Sequence, residues 1–163
     1  MHRLLINYNY WAHRQLWDCI LTISEADFKK PVSYSMGSVH EQVVHVIRAE
    51  AMYYARIHAE PIPEFNHLDY PDYASIRAKW DEVEGRWRDY MAGITDTEIN
   101  RPQEFIRANG ERYVFKVGAL IMHMVNHGTD HRAQMLELIH GYGGETFAQD
   151  MLYYMMDDYN LMT

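Results

Sequence analysis

Apolar side chains recur every three to four residues along most of this chain, the spacing that puts them on one face of an α-helix. A first helical stretch covers about residues 2–23 and holds the aromatic run Tyr8-Asn9-Tyr10-Trp11-Ala12-His13. Ser24 with Asp27, followed by Lys30-Pro31, marks a turn and a stop. The second opens on Ser38-Val39-His40-Glu41, where Ser38 and Glu41 can satisfy each other's backbone donors as a capping box. It runs to about His58, ahead of Pro61 and Pro63. Residues 61–72 form a proline-rich, irregular connection. The third starts near Tyr73, with Ile76, Trp80, Val83, Trp87 and Tyr90 stepping by four and three along one seam. Residues 103–106 and 112–115 break the helical period and flank Ala108-Asn109-Gly110. Asn-Gly is the strongest short hairpin signal. A fourth helix spans about residues 116–140 and ends at Gly141, Gly143 and Gly144. A last one, about 146–159, begins Thr146-x-x-Gln149. Without repeats or low-complexity segments, residues 1–163 read as one domain, and long helices with little β content predict an all-α bundle.

The fourth helix carries polar residues on its apolar side. With His127 set to zero, Val117, Leu120, Ile121, Met124, Met135, Leu138 and Ile139 fall within roughly 20° to 120°. His131 lies at about 40°, inside that arc, while His123 lies near 320°, at the polar edge. Asn126, Thr129, Asp130, Ala133, Glu137 and His140 take the opposite side, at about 200° to 300°. A lone histidine on an apolar face is more often a hydrogen-bonded core residue than a ligand. Two on one stripe shift that balance, because each buried imidazole needs a polar partner and one shared cation serves both.

Composition narrows the function classes. Hydrophobic content of 48% with 23% charged residues is ordinary for a globular chain long enough to form a proper core. The net charge of −8 comes without any Lys/Arg cluster, which argues against nucleic acid and against an anionic membrane surface. No apolar run approaches the length of a membrane span, and the N-terminus lacks the regions of a signal peptide. A single cysteine excludes an internal disulfide framework. A cytoplasmic protein is expected.

Two histidines fall short of the three protein ligands usual in a catalytic zinc-type site. His2, His58 and His67 lie at helix ends or in the connection, and His140 is on the polar face. His13 is ambiguous. His45 sits in Val43-Val44-His45-Val46-Ile47, on a helix apolar nearly all round, so burial is expected but its direction is not readable. A di-iron carboxylate bundle needs Glu-x-x-His on two helices. Here that spacing occurs at Glu64–His67, in the connection, and at Glu137–His140, on the solvent face, so it is rejected. Cys19 reads as a small core residue, and the Tyr8/Trp11 and Trp80/Trp87 aromatics read as core. Glu50, in line with Val43, Val46 and Ile47, is either a buried carboxylate near the site or half of a helix-edge ion pair. Gln134 is a candidate to orient a ligand, and Arg132 reads as a surface or interface group.

Tyr8-Asn9-Tyr10-Trp11-Ala12, "SVHEQVVHVIRAE" at 38–50 and "HMVNHGTDHRAQ" at 123–134, in this order and with the hairpin between, resemble the DinB-like (DinB/YfiT) family over essentially the whole chain. That resemblance implies a four-helix bundle, with a short β-hairpin before the fourth helix and an extra C-terminal helix. It also implies a metal triad of one histidine from the second helix and two from the fourth: His45, His127 and His131. The ion would be divalent, with zinc, nickel and iron(II) all accepting imidazole. Some members use a low-molecular-weight thiol as co-substrate in transferase or isomerase reactions. A metal-dependent small-molecule enzyme, such as a thiol transferase or a hydrolase, is therefore expected, and a non-catalytic, metal-stabilised dimeric binding or stress-response protein is the alternative. No residue is assigned a catalytic role. The 11 methionines, with Met151, Met155, Met156 and Met162 near the C-terminal end beside Leu152, Tyr153 and Tyr154, leave too many apolar groups for one helix face. A homodimer is expected, as the family also favours.

Overall fold

The computed structural model describes residues 1–107 and 109–160, the last three by backbone alone. In chain order its elements are α1 (His2–Ile20), α2 (Glu25–Phe28), α3 (Val39–Ile57), a 3-10 turn at His67–Asp69, α4 (Tyr73–Ala92) and α5 (Asp96–Asn100). Then come β1 (Pro102–Ile106), β2 (Arg112–Lys116), α6 (Val117–Gly141) and α7 (Met151–Asn160). The long helices close a ring in which α1 and α3 each pack on both α4 and α6. This is a four-helix bundle, and Trp80, Trp87, Tyr10, Leu16, Ile47 and Ile121 fill its centre. No helix among the described residues is long and apolar enough to cross a membrane.

Local chemistry accounts for most boundaries. Ser38 accepts from the Glu41 amide while the Glu41 carboxylate accepts from Ser38, so the capping box starts α3 as its sequence requires. Asp72 and Ser75 form a second box at the start of α4. Of the seam along α4, Ile76, Trp80, Val83 and Trp87 are buried, and Tyr90 is half-buried. The hairpin pairs β1 and β2 antiparallel with Gln103 opposite Phe115, around a loop in which Gly110 takes a φ of +85°. Gly143, at φ +81°, turns the chain after α6 so that the Gly144 amide donates to the Ile139 carbonyl.

Two boundaries differ from the sequence expectation. The first helix stops at Ile20 because Thr22 Oγ1 donates to the Cys19 carbonyl at 2.6 Å and accepts from the Glu145 amide, tying the helix end to the segment after α6. The last helix begins at Met151, not at Thr146. The Gln149 side chain that a capping box would need accepts instead from Arg132 Nε at 3.2 Å, and the Gln149 carbonyl accepts from Tyr8 Oη. Cys19 is buried. Along α7, Leu152, Tyr153 and Met156 are exposed, and Met162 lies outside the described residues.

Candidate metal centre

α3 and α6 are neighbours in the ring, and their contact brings the second-helix histidine to the stripe on α6. His45 Nε2 lies 3.3 Å from His127 Nε2. The ring centroids are 5.2 Å apart for His45 and His127, 4.7 Å for His45 and His131, and 4.5 Å for His127 and His131. One nitrogen from each ring lies within 4.8 Å of the other two. His131 is buried, His45 and His127 half-buried. His123, one turn before His127, stays outside this group: it is exposed and packs edge-on to Tyr53 at 5.3 Å.

Burial pushes His45 and His127 down to about 4 and His131 below its usual value. The neighbouring rings add to the effect at His45 and His127, and Arg48 adds to it at His45. All three imidazoles are therefore neutral at neutral pH and offer lone pairs. A neutral N–H···N contact can satisfy one pair, but three converging rings cannot all satisfy each other. His131 Nδ1 is in fact buried without a hydrogen-bond partner. A cation held among the converging nitrogens would satisfy them together. Two ligands at zinc–nitrogen distances of 2.0–2.1 Å in tetrahedral geometry lie about 3.3 Å apart, the separation found between His45 and His127. The donor set fits a divalent ion. Among the described residues no fourth His, Cys, Asp or Glu joins the three.

Behind the histidines lies a buried polar layer linking α1, α3 and α6. Arg132, next to His131, is 0% exposed. Its Nη1 donates to Asn9 Oδ1 at 2.7 Å and its Nη2 to Thr129 Oγ1 at 2.8 Å. This corrects the expectation of a surface arginine. At about 140° from His127, between Gly128 at about 100° and Leu136 at about 180°, Arg132 falls on the buried side of α6, and its helical angle carried that signal. Asn9 Nδ2 donates in turn to Glu50 Oε1 at 2.9 Å, and Tyr10 Oη donates to Glu50 Oε2 at 3.4 Å. Of the two readings open for Glu50, the structure selects the buried carboxylate.

Burial raises the Glu50 carboxyl to about 8 and pushes His13, also buried, well below its usual value. His13 Nδ1 approaches Glu50 Oε1 at 3.5 Å, and neither ring nitrogen makes a hydrogen bond. With a neutral imidazole this is a contact, not an ion pair. Gly128 makes room for the layer, because a Cβ there would sit 2.9 Å from Asn9 Oδ1 and 3.1 Å from Arg132 Nη1. Gln134 accepts a hydrogen bond from Ser35 Oγ instead of orienting a histidine. The sequence reading passed over Asn9 and Tyr10, since inside an aromatic run they look like ordinary core neighbours.

Two clefts lie on this side of the bundle, and one of them reaches the histidine group. One, of about 240 Å³, is lined by His45 itself with Met36, Glu41, Val44, Arg48 and Phe65, and His67 at its side. The other, of about 360 Å³, is apolar and lies between the hairpin and α6, with Tyr53, Phe105, Phe115 and His123 in its walls.

The DinB family's sequence profile matches residues 1–161. No curated protein matches the chain. Among solved structures, a DinB-like protein from Bacillus cereus is similar in fold, with a TM-score of 0.67 at 14% identity over 88% of this chain and 94% of that one. With its sequence matched almost end to end and the same fold in a DinB-like structure, this chain belongs to the DinB family.

Proposed function

We propose that this protein is a metal-dependent enzyme acting on small molecules, with His45, His127 and His131 holding a divalent zinc, nickel or iron ion and a low-molecular-weight thiol as co-substrate in a transfer reaction. The observation that carries this reading is the convergence of three neutral imidazoles, two of them with Nε2 atoms 3.3 Å apart, beside a cleft that reaches His45. A divalent ion held by neutral ligands keeps its full charge and lowers the pKa of a water or thiol beside it. The residues of the chain set the stage for that chemistry. His127 and His131, four apart on α6, present their rings together, and His45 meets them across the α3–α6 contact. The Arg132–Asn9–Glu50 layer fixes how α6 lies against α1 and α3, and with it the spacing of the three rings.

A structural metal site closes with a fourth protein ligand, whereas a catalytic one keeps a position for substrate. The three-histidine set among the described residues favours the catalytic reading. The test begins with elemental analysis of untagged protein that never met a nickel column, followed by a screen for thiol-dependent turnover of electrophilic small molecules. His127→Ala and His131→Ala should lose metal and turnover together. Full activity in metal-free protein would overturn the proposal.

A further inference from the structure

Strand alternation and the hairpin register, with Gln103 opposite Phe115 and Phe105 opposite Tyr113, put Phe105, Tyr113 and Phe115 on one face of the sheet. Phe105 is half-buried, but Tyr113 and Phe115 remain 39% and 40% exposed. Ordinary core rings would have closed on the helices. Phe105 and Phe115 instead wall the cleft of about 360 Å³, together with Tyr53 of α3 and Ala119, Leu120 and His123 of α6. That volume is in the range of small-molecule sites, and the small, exposed Ala119 keeps it open. The rings present both arrangements that an inserted aromatic ring prefers. Tyr53 and Phe105 lie 23° from parallel with centroids 6.4 Å apart, and Phe115 meets Phe105 edge-on at 73°. Arg56 holds Phe105 in place, its guanidinium 4.3 Å from the ring centroid. Two polar groups in the walls have no hydrogen-bond partner among the described residues. One is the hydroxyl of Tyr53, a buried residue whose phenol burial keeps protonated. The other is the His123 imidazole, edge-on to Tyr53 at 5.3 Å. His123 is also one turn from His127, with ring centroids 6.2 Å apart, so its side of the cleft is the one nearest the three histidines.

We infer that this cleft binds the substrate of the metal centre, and that the substrate is an aromatic small molecule with a hydroxyl or carbonyl oxygen on its ring. The ring enters between Phe105 and Phe115 of the hairpin and Tyr53 of α3, and its oxygen meets the Tyr53 hydroxyl and the His123 imidazole. A flat molecule matches the faces and edges of those rings, which a saturated one of equal bulk does not. The ligand's role as substrate rests on the proposed metal-dependent function, whereas the fit of an aromatic ring rests on the cleft alone.

The test uses the full-length protein, metal-free and loaded with cobalt(II), and two probes, 2-naphthol and trans-decahydro-2-naphthol. The probes are alike in bulk and in their hydroxyl, but only the first is flat and aromatic. Calorimetric titration should find 2-naphthol bound at least about threefold more tightly, the advantage of its ring contacts. It should bind with or without cobalt, because the walls of the cleft do not include the three histidines. Ala119→Trp should fill the cleft and abolish binding. Phe115→Leu should weaken it about two- to tenfold by removing ring contact at similar bulk, and Tyr53→Phe by a similar factor through the lost hydrogen bond. In the cobalt protein, the paramagnetic ion should broaden the proton resonances of bound 2-naphthol, and His127→Ala, lacking the ion, should bind the probe without broadening it. Equal affinities for the two probes, or binding that survives both Ala119→Trp and Phe115→Leu, overturns the cleft as an aromatic site. An unchanged affinity in Tyr53→Phe overturns the place given to the oxygen. Binding without broadening by cobalt puts the ligand away from the ion and overturns its role as substrate, with the metal centre intact. Failure to take up cobalt overturns the metal centre and the substrate role with it, while the titrations still decide the cleft.

Discussion

Gly128→Ala is a sharp probe of the buried layer behind the histidines. Gly128 sits mid-helix in α6, where intrinsic propensity favours alanine by about 1 kcal/mol. Against this, the added Cβ would lie 2.9 Å from Asn9 Oδ1, 3.1 Å from Arg132 Nη1 and 3.5 Å from His13 Nε2. Asn9 is not free to swing aside, since its Oδ1 accepts from Arg132 while its Nδ2 donates to Glu50. Displacing it breaks a charge-assisted hydrogen bond in the core, a loss of about 1.5–3 kcal/mol, and shifting α6 away from α1 costs a similar amount through disturbed packing. The balance is a net destabilisation of about 0.5–2 kcal/mol, opposite in sign to the propensity effect. Urea denaturation followed by circular dichroism at pH 7 measures it, with Asn9→Ala and the double variant completing a cycle. In the Asn9→Ala background the obstructing oxygen is gone, so Gly128→Ala should become neutral or stabilising, giving a coupling of about 0.5–3 kcal/mol. A stabilising Gly128→Ala in the wild-type background, or strict additivity in the cycle, would refute this account of the layer.

Glu50, held neutral by burial up to about pH 8, makes the folded state bind a proton that the unfolded chain releases near its ordinary value of 4.5. Stability from this group is therefore fully present below about pH 4.5 and is lost as pH rises towards about 8, on the order of a few kcal/mol in all. Glu50→Gln removes that slope, so its stability relative to wild type should climb between pH 5 and 9; parallel urea profiles would contradict the buried neutral carboxyl. Trp87 Nε1 donates to the Glu50 carbonyl at 3.2 Å while Trp80 Nε1 is buried without a partner. Trp87→Phe should cost about 1 kcal/mol more than Trp80→Phe in the same assay, since only the first breaks a hydrogen bond. A metal chelator should lower the wild-type melting temperature, by the equivalent of about 2.7 kcal/mol if the ion was held at a hundred times its Kd, and leave His127→Ala unchanged. Equal chelator responses would place any metal elsewhere. The exposed Leu152 and Met156 on α7 motivate one prediction about assembly. Light scattering should find a dimer that Leu152→Asp with Met156→Asp converts to monomer, and a monomeric wild type would remove α7 as its interface.

Helical periodicity determined much from the sequence alone. It located the long helices, with Asn109-Gly110 marking the hairpin between them, and it separated His127 and His131 from His123, because the angle around one helix depends only on positions along that helix. It also held the information that Arg132 is buried, which residue type obscured: arginine is mostly a surface residue, and burial is exceptional without partners. The direction of His45 was beyond it. α3 is apolar nearly all round, so no stripe marks which side faces α6, and the family resemblance alone singled His45 out. Only packing against α6 decided that this ring meets the other two.

The partners of Arg132 and Glu50 were equally out of reach. Asn9 and Arg132 are 123 residues apart, and nothing local to either one encodes the other. The start of α7 failed for the same reason, since Gln149 gave its side chain to Arg132 instead of to a helix cap. A sequence pattern states what each helix turns inward. What it meets there depends on how the helices cross, and that is set by the sum of all their contacts.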